Sequence, residues 1–122
     1  MQRDILSDIH YAYTFEDRDQ DAGSTARTED LSVFNLSPVF KEAAAKHGFR
    51  FSVYTNWSSA KIDMFKVDRD VPFDEMKHLL AEVGQKMNCN LYVSLASDCK
   101  SLPWDQASDA VKKNALLKFK AP

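Results

Sequence analysis

The hydrophobic positions of this chain fall into segments with two different periods. Met76, Leu79, Leu80, Val83 and Met87 recur at i, i+3, i+4, i+7 and i+11, which sets them on one face of a helix. Pro72 suits a first helical turn, where its missing N–H is not needed, and Asp74 and Glu75 complement the positive end of the helix dipole. Asn88 can take the left-handed conformation that closes a helix. The spacing therefore predicts a helix over about 72–87. Leu91, Val93 and Leu95 then alternate with Tyr92 and Ser94, the period of a strand with one buried face.

An earlier stretch follows the same grammar. Ser37 and Pro38 read as an N-cap and first turn, Phe40, Ala43, Ala44 and His47 line one side, and Glu42 and Lys46 form an i, i+4 pair. With Gly48 as its end, this predicts a helix over about 38–47. Phe49, Phe51, Val53 and Thr55 alternate with Arg50, Ser52 and Tyr54, and the run 61–67 returns as the second arm of a hairpin whose turn carries Trp57. Upstream, Ile9, Tyr11, Tyr13 and Phe15 alternate with His10, Ala12 and Thr14 and predict a strand; a helix through Ile5, Leu6, Ile9 and Tyr13 is the competing reading. The resulting order β, α, β, β, α, β is the split βαβ, or ferredoxin-like, plan: an α+β fold with a four-stranded antiparallel sheet and two helices on one face.

Two segments fit this plan less directly. The connection over about 16–36 is long for a loop without structure of its own, so either Leu31–Phe34 packs as an extra edge strand or the acidic arm is mobile. Beyond residue 101, Trp104, Ala107, Val111 and Ala115 predict a C-terminal helix starting near Pro103, with Trp104 stapling it to the body. Leu116–Lys120 alternates like a strand, yet its Ala, Leu and Lys content favours continuing the helix.

At 122 residues the chain has the size of one domain, spanning 1–122, with a core over about 9–96 and a C-terminal extension over about 101–122. Hydrophobic residues at 44% and charged residues at 28% exclude a disordered or membrane-spanning chain. The net charge of −2 names no polyanionic partner, but it is unevenly spread. Residues 1–30 carry eight acidic side chains, among them Asp17, Asp19 and Asp21, against three arginines, so an acidic arm precedes a slightly basic body. Cys89 and Cys99 are ten apart with no CxxC pair, which argues against a zinc site and a disulfide scaffold. The start Met1-Gln2-Arg3-Asp4 lacks the pattern of a signal peptide, and a cytoplasmic location is expected.

Chemistry is sparse in this pattern. No nucleophile elbow, paired-histidine zinc motif or glycine-rich phosphate loop is present, and only Gly23, Gly48 and Gly84 are available for close backbone approach. His10, His47 and His78 lie on three predicted elements without metal-type spacing, so no metal or cofactor is expected. His47 suits a helix C-terminal turn and His78 the rim of an exposed face. Cys89 reads as a small buried hydrophobe, and Cys99, beside Lys100, as a solvent-facing thiol.

The sheet face opposite the helices is expected to carry Arg50, Ser52, Tyr54, Asp63, Phe65, Val67, Tyr92 and Ser94, an exposed aromatic surface of the kind that meets another chain or the C-terminal helix. The expected function is a non-catalytic cytoplasmic protein-binding regulator, adaptor or inhibitor, monomeric or homodimeric and with no membrane partner. Its contacts are Trp57, Asp17, Asp19, Asp21, Tyr54, Phe65 and Tyr92. Compact stand-alone proteins of this kind occur in phage and mobile-element systems, and a viral origin is attached to this expectation. Two alternatives stand beside it. One is single-stranded nucleic-acid binding on the sheet face, with Arg50, Lys112, Lys113 and Lys118 meeting phosphates. The other is a small oligomeric enzyme with a site at its subunit interface.

Overall fold

The period-two run at Tyr11–Asp17 is the central strand of a five-stranded sheet. The computed structural model describes residues 4–17, 31–54 and 60–122. In chain order these form β1 (Ile5–Leu6), β2 (Tyr11–Asp17), α1 (Val33–Lys46), β3 (Phe51–Tyr54), β4 (Ile62–Val67), β5 (Val71–Pro72), α2 (Phe73–Met87), β6 (Cys89–Leu95), a 3-10 turn at Ala96–Asp98, α3 (Trp104–Lys113) and β7 (Leu117–Phe119). The fold is α+β, with three helices and antiparallel sheets among the described residues. The main sheet runs β3-β4-β2-β6-β7, and β1 pairs with β5 in a separate two-stranded ribbon.

Two expectations about the elements need correction. The sheet has five strands rather than four, because Leu117–Phe119 turns out of the helix and pairs antiparallel with β6, Leu117 opposite Val93 and Phe119 opposite Leu91. Helix propensity favoured a longer helix there, but burying Leu117 and packing Phe119 on the core outweighs a few tenths of a kcal/mol per residue, a scale of about 0–0.7 kcal/mol. The first helix begins at Val33, ahead of the expected Ser37 cap, so Leu31–Phe34 is not an edge strand, and residues 18–30 of the acidic arm lie outside the described residues. The apolar stripe of the helix already starts with Val33 and Leu36, and Val33 N–H donates to the Ala60 carbonyl at 2.7 Å. Pro38 lies inside this helix, near its N-terminal end, where the bond it cannot make to the Phe34 carbonyl is lost. By contrast, α2 follows its predicted span, closing at Asn88 with φ 53°.

α1 and α2 pack on one face of the sheet, where Leu36, Phe40, Met76, Leu79, Leu80 and Val83 meet Tyr11, Tyr13, Phe51, Phe65, Val67, Leu91 and Val93. α3 lies on the other face, its Ala107 and Val111 against Ala12, Ile62, Met64 and Tyr92. β4 corrects the expected side-chain phase: Asp63, Phe65 and Val67 point at the helix pair, and Ile62, Met64 and Lys66 point the other way. Both alternations of this strand are apolar, so period alone could not choose between them. The register did, by setting Val53 opposite Phe65 and Tyr54 opposite Met64. Ile9, expected to begin the buried row of β2, instead precedes the strand and is 47% exposed.

Gly84 sits where β7 closes on α2. A Cβ at this position would collide with the Phe119 ring and lie 3.0 Å from the Cys89 carbonyl oxygen. Gly84→Ala is expected to destabilise the protein, since overpacking of about 1–3 kcal/mol exceeds the roughly 0.8–1 kcal/mol gained in helix propensity. Urea unfolding should show a lower midpoint, and adding Phe119→Ala should make the two costs strongly non-additive.

Candidate interaction surface

The sheet face opposite α1 and α2 is largely covered by α3, the C-terminal helix and one of the two occupants expected for it. Phe65 is fully buried on the opposite, helix-pair side, and Tyr92 is only 5% exposed beneath α3. Phe65 is displaced by the β4 register and Tyr92 by the helix laid over it. The Tyr92 hydroxyl donates to Glu16 Oε1 at 2.7 Å, and Asn90 Nδ2 donates to the same oxygen at 3.3 Å. Lys112 Nζ stands 3.4 Å from Glu16 Oε2, while Lys120 Nζ lies 5.8 Å from the centre of the Tyr92 ring. Tyr92, and secondarily Asn90 and Lys112, hold the Glu16 carboxyl below the usual carboxylate range against a smaller opposing push from burial. The Thr14 hydroxyl donates to the Lys61 carbonyl at 2.7 Å, so in the 3.0 Å contact with Ser108 the serine donates. These bonds join residues 47 to 94 positions apart; no local motif signalled Glu16, Asn90 or Ser108.

One corner of that face remains open. Ser52 and Tyr54 lie on the same side of β3, the exposed Arg50 immediately precedes the strand, and Lys66 stands opposite Ser52 on β4. Tyr54 is 46% exposed, with the exposed His10 ring meeting it edge-on at a centroid distance of 5.3 Å and an interplanar angle of 89°. Lys66 Nζ pairs with Asp8 at 3.0 Å, and the backbone N–H of the exposed Arg50 donates to Asp68 Oδ1 at 2.8 Å. β3 is a sheet edge: no strand among the described residues pairs with its outer side. Its sequence Phe-Ser-Val-Tyr contains no charge, whereas the other edge, β7, is three residues long and carries the exposed Lys118 at its centre.

The remaining candidates are scattered. Lys112 is half-buried and paired as above, and Lys113 and Lys118 are exposed. Asp17 ends β2 in register with Cys89. Trp57, Asp19 and Asp21 lie outside the described residues, as does the side chain of Trp104. His47 caps α1, with Nε2 2.8 Å from Glu82 and Nδ1 3.8 Å from Glu75. Arg69 donates to the His47 carbonyl at 3.1 Å and to Glu75 at 3.0 Å, lacing α1 to α2. Among the described residues no group of three or more His, Cys, Asp and Glu side chains is arranged to hold a metal ion.

Several buried polar groups complete the picture. Tyr13 and Ser37 share a 2.5 Å hydrogen bond in the core, and burial pushes the Tyr13 phenol well above its ordinary range. Asp63, directly opposite Tyr13 in the β2–β4 pair, is 3% exposed and accepts the Met64 N–H at 3.0 Å. Cys89 is buried as expected; Cys99 is too, contrary to the expected solvent-facing thiol. Its turn folds back under α3, and burial, aided by Asp98, pushes the thiol up to about 11.

No protein-family model, no curated protein and no solved structure matches this chain. No helix among the described residues is long and apolar enough to cross a membrane.

The Glu16 network yields a pH dependence. Its folded-state pKa lies below the unfolded value, so its contribution is fully present above the ordinary glutamate range and is lost as pH falls through the lowered folded value. Urea unfolding of wild type and Glu16→Gln from pH 7 to 3 should show the wild type ahead at pH 7 and the gap closing at the acid end. A gap independent of pH would show that Glu16 acts by packing alone.

Proposed function

We propose that this chain is a small non-catalytic protein-binding regulator, adaptor or inhibitor that acts in the cytoplasm by occupying the surface of a macromolecular partner. The observation that carries this reading is the open corner at β3. An exposed tyrosine is braced by a histidine ring, on an uncharged edge strand beside whose outer backbone groups no strand among the described residues lies. An extended partner segment can add to such an edge through main-chain hydrogen bonds and pack its side chains against the flanking residues. Trp57 follows Tyr54 by three residues and adds a second aromatic of the kind that dominates binding energy. Asp17, Asp19 and Asp21 supply the acidic part of the proposed contact. The β2-α1-β3-β4-α2-β6 portion is read as a split βαβ plan, supported by the strand order β3-β4-β2-β6, with β7 added at one edge.

Affinity capture followed by mass spectrometry tests the proposal. Tyr54→Ala with Trp57→Ala, and separately charge reversal at Asp17, Asp19 and Asp21, should each remove a partner that the wild type retains; Lys77→Ala on the exposed side of α2 should retain it. Unchanged capture by both sets would place the contact elsewhere. Single-stranded nucleic acid is disfavoured by the burial of Phe65 and Tyr92, which leaves Tyr54 alone of the three expected stacking residues exposed. A gel shift with an oligothymidine strand at low salt is expected to give no retarded band.

A further inference from the structure

We infer that the layer formed by the 3-10 turn and α3, residues 96–115, opens as a unit on its own while the core beneath α1 and α2 stays folded. The two cores are separated by the sheet and are built from different materials. On the helix-pair side both partners contribute large side chains, including Leu36, Phe40, Met76, Leu79 and Leu80 from the helices. On the α3 side the sheet contributes Ile62, Met64 and Tyr92, but the described residues buried from α3 are Ala107 and Val111, with Leu102, Ala110 and Ala115 half-buried around them. Among the described side chains, those that α3 presents are smaller and remove less apolar surface from water than those of the helix pair.

Two of the polar ties across this face are weak ones. Lys112–Glu16 is a rim pair with side chains 30% and 36% exposed, a setting in which water screens most of the attraction. Ser108–Thr14 joins two neutral hydroxyls. α3 has ten residues, too few to persist as a helix once detached, so undocking and local unfolding are one event. The chain is fastened to the sheet at both boundaries of the layer. Ala96 N–H donates to the His10 carbonyl at 3.2 Å, Leu116 N–H donates to the Val93 carbonyl at 2.7 Å, and Phe119 is seated at Gly84. Opening therefore bares Ile62, Met64, Tyr92 and Cys99 without unthreading the sheet. It stands whether or not the β3 corner binds a protein.

The chain carries its own reporters: Cys99 lies in the α3-side core and Cys89 in the helix-pair core, and both are fully buried. The intact protein is treated with N-ethylmaleimide at pH 8 across a urea series, and peptide mass spectrometry resolves the two thiols. Cys99 is expected to react at least about tenfold faster than Cys89 without urea, with a shallower urea dependence because less surface is exposed. Amide exchange over 107–112 should track Cys99. Glu16→Gln and Ser108→Ala should each speed Cys99 about threefold or more, and leave Cys89 unchanged. Equal rates and equal urea slopes for the two cysteines would overturn the inference, showing one cooperative unit. Fast Cys99 with fully protected α3 amides would overturn it too, by confining the motion to the turn. If a variant fails to fold, the wild-type ratio and amide exchange still decide.

Discussion

β2 must bury side chains on both of its faces, and the layering follows from that requirement. Tyr11, Ala12, Tyr13 and Thr14 are each 2% exposed or less, so the strand cannot face water on either side. An antiparallel sheet with one wet face needs only one layer of helices. Here the alternation of large aromatics with Ala12 and Thr14 calls for a thick layer on one side and a thin one on the other. α1 and α2 supply the first, and α3, lined by Ala107 and Val111, the second.

The thick side is organised by aromatic rings. Phe51 stacks on Phe65 at 4.4 Å and on Phe40 at 4.9 Å, Tyr13 tilts against Phe40 at 4.9 Å, and Tyr11 stacks on Phe65 at 5.6 Å. Such contacts carry large buried area with defined geometry. They explain why β4 turns Phe65 and Val67 toward α1 and α2, even though this also buries the Asp63 carboxylate beside Tyr13. The thin side is joined more by polar bonds at its rim, and its sequence-distant network around Glu16 ties β2, β6 and α3 together.

What the two layers leave uncovered sets the functional reading. The described side chains of α3 pack on β6, β2 and the start of β4, and the exposed Arg50 and Tyr54 lie beside an edge that no described strand pairs with. The opposite edge is guarded by Lys118 and by its shortness. The asymmetry between an uncharged edge and a lysine-bearing one is the reason we propose β3 as the place of protein contact.

Local pattern by itself pointed to α2, the strands at β3 and β6 and the start of α3, because each depends on periodicity and end signals within a short window, and at β2 it favoured a strand over a helix. It also marked Tyr54 as outward, since β3 has only one apolar alternation. Tertiary structure alone decided the phase of β4, where both alternations are apolar and only the pairing with β3 distinguishes them. It also decided the burial of Tyr92 and Cys99, which depends on a helix that follows them in the chain. The conversion of 117–119 from helix to strand belongs to the same class: Phe119 finds its place against Gly84, 35 residues earlier, and no local propensity encodes a contact across that separation.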